Sequence, residues 1–292
     1  MSSYSESMTF TTIDDFYVTE RDITENNPSC RNGYVLLESE RALRYYGCGI
    51  VWEACHRLEL PMNVACTAQV LFHRFYCKNS MQEYDVRVLS ASAFWLACKL
   101  EEVIDCDDEA CLRLRDVLMM FYDCVLRRED EEERKEPYVL NVYSGFYSTF
   151  KESVIKGERE MLRCFGFVTH VEHAHPFVLT LGAQLGLGSR KHILQTACNI
   201  VNDSLRTTLC VQVRAEFVAC SALFLAAQKH GHCLPHGWWE GCAVDWETLK
   251  MCCRTIGNLY EEEKKSTGKY IQVSSETYFL VFDTHAAIKV WC

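Results

Sequence analysis

A chain of 292 residues that is 49% hydrophobic, 12% aromatic and 24% charged has the composition of a globular protein, and its length bounds it to one or two domains. With 30 Lys and Arg against 40 Asp and Glu, the formal charge is −10, which argues against a broad grip on phosphate backbones and so against strong nucleic-acid binding. The 14 Gly and 5 Pro leave few breaks between periodic segments, and none of these reaches the roughly 18 consecutive apolar residues of a membrane span.

The segment from Met1 to about Glu40 is polar and irregular, with an Asn27-Pro28 step, and reads as a lead-in arm. Its first residues, Met1-Ser2-Ser3-Tyr4-Ser5-Glu6, offer neither a basic nor an apolar leader region, which implies a reducing compartment. The 18 Cys include no C-x-x-C spacing and lie in apolar stretches, as at Cys66, Cys98, Cys164, Cys198 and Cys220. Most of them read as small buried hydrophobes rather than as a disulfide framework.

From Leu43 the periodicity is helical. Pro61 stands where a first-turn proline belongs, and Val64, Ala68, Leu71 and Phe75 form one stripe of a helix reaching about Cys77. A second helix, about Tyr84 to Glu102, is apolar nearly all round, so it requires neighbours on every side. Further helices fit Cys111 to Leu126, Tyr147 to Phe165, Pro176 to Leu185 and Trp246 to Glu263. The run Arg127 to Lys135 (RREDEEERK) reads as a solvated loop or helix end, with docking of a partner as the alternative. The stretch after Lys269 is rich in β-branched and aromatic residues and reads as an ordered tail of unassigned type.

Two signatures recur. Thr67-Ala68 returns as Thr196-Ala197, and Ser90 to Ala97 (SASAFWLA) is echoed by Ala219 to Ala226 (ACSALFLA), both at an offset of 129 residues. Two helices repeating in register imply two copies of one helical unit.

Signatures of catalysis are missing: the sequence holds no G-x-x-x-x-G-K-[ST], G-x-S-x-G, H-E-x-x-H or G-x-G-x-x-G. His230, His232, Cys233, His236 and Cys242 could supply zinc ligands, but their spacing matches no zinc signature, and a chance cluster is easy in a Cys-rich chain. His170, His173 and His175 are explained as well by connector packing and helix capping as by metal. Lys99 stands out at the end of the most apolar helix, where it must snorkel, pair with an acid or meet a partner. The second copy carries Gln228 at the equivalent place, so whatever Lys99 does is confined to the first.

Leu71-Phe72-His73-Arg74-Phe75, Ala93 to Glu102 (AFWLACKLEE) and Lys156 to Leu162 leading into Phe165-Gly166-Phe167 resemble a first cyclin box. Asn202 to Thr207 (NDSLRT) and Phe224 to Ala227 resemble a second. The flanks Thr12 to Val18, Leu43 to Cys48 and His170 to Pro176 are similar to those of L-type cyclins of the transcription and splicing group.

The resemblance implies an all-α fold of two tandem five-helix cyclin boxes: an arm over 1–42, a kinase-binding box over 43–168, a second box over 169–264 and an extension over 265–292. It implies a nuclear, non-catalytic activator of a cyclin-dependent protein kinase, with no cofactor and with room for a third subunit. It further implies that Lys99 and Glu158 lie together at the kinase-facing surface, with Leu96, Glu102 and Phe167 beside them. In that picture the cyclin holds the kinase's helix αC inward so that its Lys–Glu pair and activation loop are correctly placed. L-type relatives commonly carry Arg/Ser-rich tails, and no Arg-Ser repeats occur in these residues. A cyclin-fold adaptor that works without a kinase is the alternative, and it calls for a basic face; a metal-dependent hydrolase using the set near Cys233 is a third reading.

Overall fold

The computed structural model describes residues 16–31, 35–104, 112–129, 136–242 and 244–265. Among the described residues its regular elements are ten α-helices and two short 3-10 helices, Thr208–Val211 and Glu240–Cys242, with no strand, and they fall into two compact units that divide after Val171. The expected all-α class is what the chain adopts.

The first unit holds α1 (Glu20–Thr24), α2 (Leu37–Arg57), α3 (Met62–Tyr76), α4 (Val86–Leu100), α5 (Leu114–Glu129) and α6 (Gly145–Cys164). Local chemistry sets several starts. Thr19 and Asp22 close a capping box on α1, Asp85 accepts the Arg87 N–H to begin α4, and Ser144 accepts the Tyr147 N–H to begin α6. The apolar α4 is the central helix of this bundle, packed against α2, α3, α5 and α6.

The predicted arm needs correction. Phe16 is buried in the first core, edge-on to Phe165, with the Arg74 guanidinium 4.0 Å above its ring. The expected boundary at residue 42 falls inside α2. The charge-dense start of that helix looks solvated in sequence, yet Glu40 and Arg44 pair one turn apart in the interior, and Arg44 also donates to the carbonyls of His73 and Tyr76. The mixed-charge run is likewise partly structural. Arg127 and Arg128 continue α5 and pair with Asp123 and Glu53, while residues 130–135 lie outside the described residues.

The second unit holds α7 (Ala174–Gln184), α8 (Lys191–Ser204), α9 (Ala215–Lys229) and α10 (Trp246–Lys265) around its own core. The repeat is borne out in register: α9 begins and ends 129 residues after α4, and α8 begins 129 residues after α3. At the same offset a counterpart of α6 would begin near residue 274, outside the described residues, as is the predicted tail.

Candidate protein-docking site on the first bundle

Helices α4 and α6 meet where side chains are smallest. The Ser92 hydroxyl donates to the Val88 carbonyl on its own helix (2.8 Å) and to the Val154 carbonyl across the crossing (3.0 Å). Opposite it stands Gly157, where a Cβ would lie 2.4 Å from the Ser92 oxygen, so only glycine permits the approach. This close crossing carries Lys99, in the last turn of α4, to Glu158 of α6: Lys99 Nζ and Glu158 Oε1 are 2.6 Å apart.

The pair sits at a surface rather than in the core, with side-chain exposures of 43% for Lys99 and 11% for Glu158. The ammonium also lies 5.1 Å from the centre of the Trp95 ring. A pair this exposed contributes about 1 kcal/mol or less to the bundle itself. One of three ammonium donors and one carboxylate oxygen are engaged by the pair, which leaves donors and an acceptor side by side for another chain.

Other residues expected beside the pair are placed differently. Leu96 is only 3% exposed and belongs to the first core, because α4 is enclosed on most sides. Two aliphatic residues near the pair in sequence are exposed: Ile155, 40% exposed one turn before Glu158 and on its side of α6, and Leu100, 39% exposed at the end of α4 but turned away from Lys99 by one helical step. Glu102 lies exposed in a left-handed turn just past α4 (φ 54°). Its neighbour Glu101 turns inward, accepting from Thr67 (2.6 Å) and Asn63 of α3.

Phe167 is 71% exposed, beyond the C-terminal end of α6, at φ 65°. Its N–H reaches the Leu162 carbonyl and that of Gly166 the Arg163 carbonyl, a Schellman ending that tips an aromatic ring into solvent. An aromatic residue in the left-handed region is uncommon.

The imidazole and thiol sets hold different positions. His175 is bonded to Asn202 (2.8 Å), the His170 carbonyl accepts from Arg74, and His230 is bonded to Thr196 (2.9 Å) with the His192 ring 4.8 Å away. Among the described residues no group of three or more His, Cys, Asp or Glu is arranged to hold a metal ion.

The family follows from comparison of the whole chain. Residues 14–169 match the model of the cyclin N-terminal domain. The chain belongs to the cyclin family. This cyclin is 38% identical to Cyclin-L1-1 of Oryza sativa subsp. japonica over 96% of its own length and 62% of that protein's. It is 36% identical to Cyclin-L1-1 of Arabidopsis thaliana over 92% of its length and 61% of that protein's, and 32% identical to human Cyclin-L1 over 87% and 46%. It thus spans about three-fifths of the length of the plant relatives. In fold it is similar to a chain of the yeast RNA Pol II CTD kinase CTDK-1 complex (TM-score 0.66, 16% identity, covering 94% of this chain and 81% of that one). A chain of the Chaetomium thermophilum CAK complex gives a TM-score of 0.59 at 16% identity, covering 94% of this chain and 85% of that one.

Proposed function

We propose that this cyclin is the activating, non-catalytic subunit of a cyclin-dependent protein kinase, working in the nucleus in transcription or pre-mRNA processing. The observation that carries the reading is the Lys99–Glu158 pair: a charged couple of little structural worth, presented at a surface with the exposed Ile155 one turn away on α6. Anchors of this kind, charge set in apolar surface that a partner desolvates, dominate protein interfaces. In this reading the exposed Glu102 and Phe167, just past the ends of α4 and α6, contact the same partner, while Leu96, being buried, serves only as core beneath α4. Likeness to L-type cyclins and to chains of two kinase complexes supports the choice of partner. A third protein subunit fits the same scheme.

The mechanism is differential binding. A cyclin that grips the active arrangement of the kinase more tightly than the inactive one shifts the population toward it and contributes no catalytic group. Ammonium donors and a carboxylate acceptor held at one point suit main-chain carbonyls and N–H groups of a kinase segment.

The test is the double variant Lys99→Ala, Glu158→Ala, with helicity and melting temperature as controls. Recovery of kinase by the tagged chain should fall severely, since each desolvated charged contact at an interface is worth about 2 to 5 kcal/mol when truncated. Undiminished recovery with an intact fold refutes the reading.

A further inference from the structure

Lys99 ends a four-carbon stem that would otherwise sample many rotamers, so a partner that binds the ammonium must first immobilise it. Two groups already hold it: Glu158 Oε1 at 2.6 Å and the face of Trp95 at 5.1 Å. Trp95 lies one turn before Lys99 on α4, and helical side chains lean back toward the N-terminus, which lays the lysine stem along the indole. The indole is itself packed against the first core, so it is a fixed platform.

The second copy supplies an internal control. Phe224 and Gln228 stand where Trp95 and Lys99 stand in the first. There the aromatic is buried, with the rings of Trp238 and Trp246 within 6.4 Å, and among the described residues no cation stands over it. An aromatic serving only to fill the bundle would be enclosed in this way, whereas Trp95 stays partly exposed under a positive charge.

We propose that Trp95 is a positioning residue for Lys99: by holding the ammonium on its face it presents the lysine to the kinase already ordered. The inference rests on the reading that Lys99 contacts a kinase, and it deepens that reading by adding a third, aromatic member to the pair.

The experiment uses the full chain and its Trp95→Phe, Trp95→Leu and Lys99→Met variants. The first measurement needs no kinase: in chain labelled with 13C at lysine Cε, the signal that Lys99→Met removes should lie upfield in the unaltered chain through the indole ring current. It should stay partly shifted in Trp95→Phe and return to the ordinary lysine position in Trp95→Leu. The second is the dissociation rate of the kinase that copurifies with the unaltered chain, produced recombinantly. Trp95→Leu should raise that rate about 5- to 20-fold and Trp95→Phe about 2- to 4-fold, with no further increase from Trp95→Leu in a Lys99→Met background.

An unshifted Lys99 signal in the unaltered chain overturns the proposal, and this result does not depend on any variant folding. So does an equal rise in rate from Trp95→Leu when Lys99 is absent, which is what a merely structural tryptophan would give. Unchanged kinase affinity in Lys99→Met overturns the kinase reading itself, and this one with it. Lost affinity there together with an unaltered rate in Trp95→Leu overturns only the role of Trp95.

Discussion

Gly157→Ala sets two known effects against each other, and the geometry decides between them. Helix propensity alone favours alanine over glycine by about 1 kcal/mol in the interior of a helix such as α6. Against it, the new methyl would stand 2.4 Å from Ser92 Oγ and 3.1 Å from Ser92 Cβ, so the helices must part by roughly 1 Å to restore ordinary contact. Ser92 has little room to yield, because its hydroxyl is bonded to Val88 and, across the crossing, to Val154. Overpacking costs about 1 to 3 kcal/mol, and a broken cross-helix hydrogen bond about 1 more. The net expectation is a loss of about 1 to 3 kcal/mol, or a fall of a few degrees to about 10 °C in the melting temperature by calorimetry. Adding Ser92→Ala removes the shortest contact and should recover part of that loss. Parting the helices also stretches the 2.6 Å Lys99–Glu158 pair, so kinase recovery should drop in the same variant. A Gly157→Ala chain that melts at or above the temperature of the unaltered one would refute the reasoning, since propensity would then outweigh the contact.

Asp123→Asn should cost about 2 to 4 kcal/mol, because this buried carboxylate serves Arg57, Arg127 and the Tyr138 N–H together. Burial alone would raise its pKa, but the Tyr138 N–H and the two guanidiniums hold it below the ordinary 3.8. Its stabilisation is therefore present above that value and lost as pH falls through the lower native one; urea midpoints between pH 5 and 2 should drop less steeply in the variant. In the second bundle slight desolvation, then His192 and Lys229, hold the largely exposed His230 below its ordinary 6.5, so its small contribution is full above that pH and is lost on acidification through the lower native value. His230→Asn should flatten the stability of that bundle between pH 7 and 5, and an unchanged slope would count against the assignment. Among the described cysteines, the exposed Cys233 should be alkylated well before the buried ones, and peptide mass mapping checks the order. Burial pushes the Cys55 thiol up to about 11 and that of Cys66 to about 12, far from reactive thiolate at neutral pH.

What could be read without coordinates was whatever depends on local periodicity. The apolar character of α4, the proline before α3 and the 129-residue offset place four helices because no insertion interrupts the repeat between α3 and α4 or between α8 and α9. What could not be read depends on pairings across the bundle. Glu40 and Arg44 look solvated until the carbonyls that Arg44 serves on α3 are seen. Lys99 is conspicuous as a cation on an apolar helix, but nothing local points 59 residues ahead to Glu158; only likeness to a family suggests the partner. Leu100 and Ile155 escape notice because exposed aliphatics look the same in sequence as buried ones.

One signal was present in the repeat and easily overlooked. Thr67 bonds Glu101, and 129 residues later Thr196 bonds His230, so the same latch closes the same pair of helices twice. In the first copy its outer members are Asn63 and Glu101, and in the second His192 and His230. The scaffold position is kept while its side chain changes from a carboxyl group to an imidazole, so the two bundles share architecture without sharing surface chemistry. The same holds one residue pair away, where Lys99 becomes Gln228, whose buried side-chain oxygen has no hydrogen-bond partner among the described residues. On the proposed reading, a kinase segment that needs an ammonium beside a carboxylate would meet that combination on the first bundle, since the second has no lysine at the matching position.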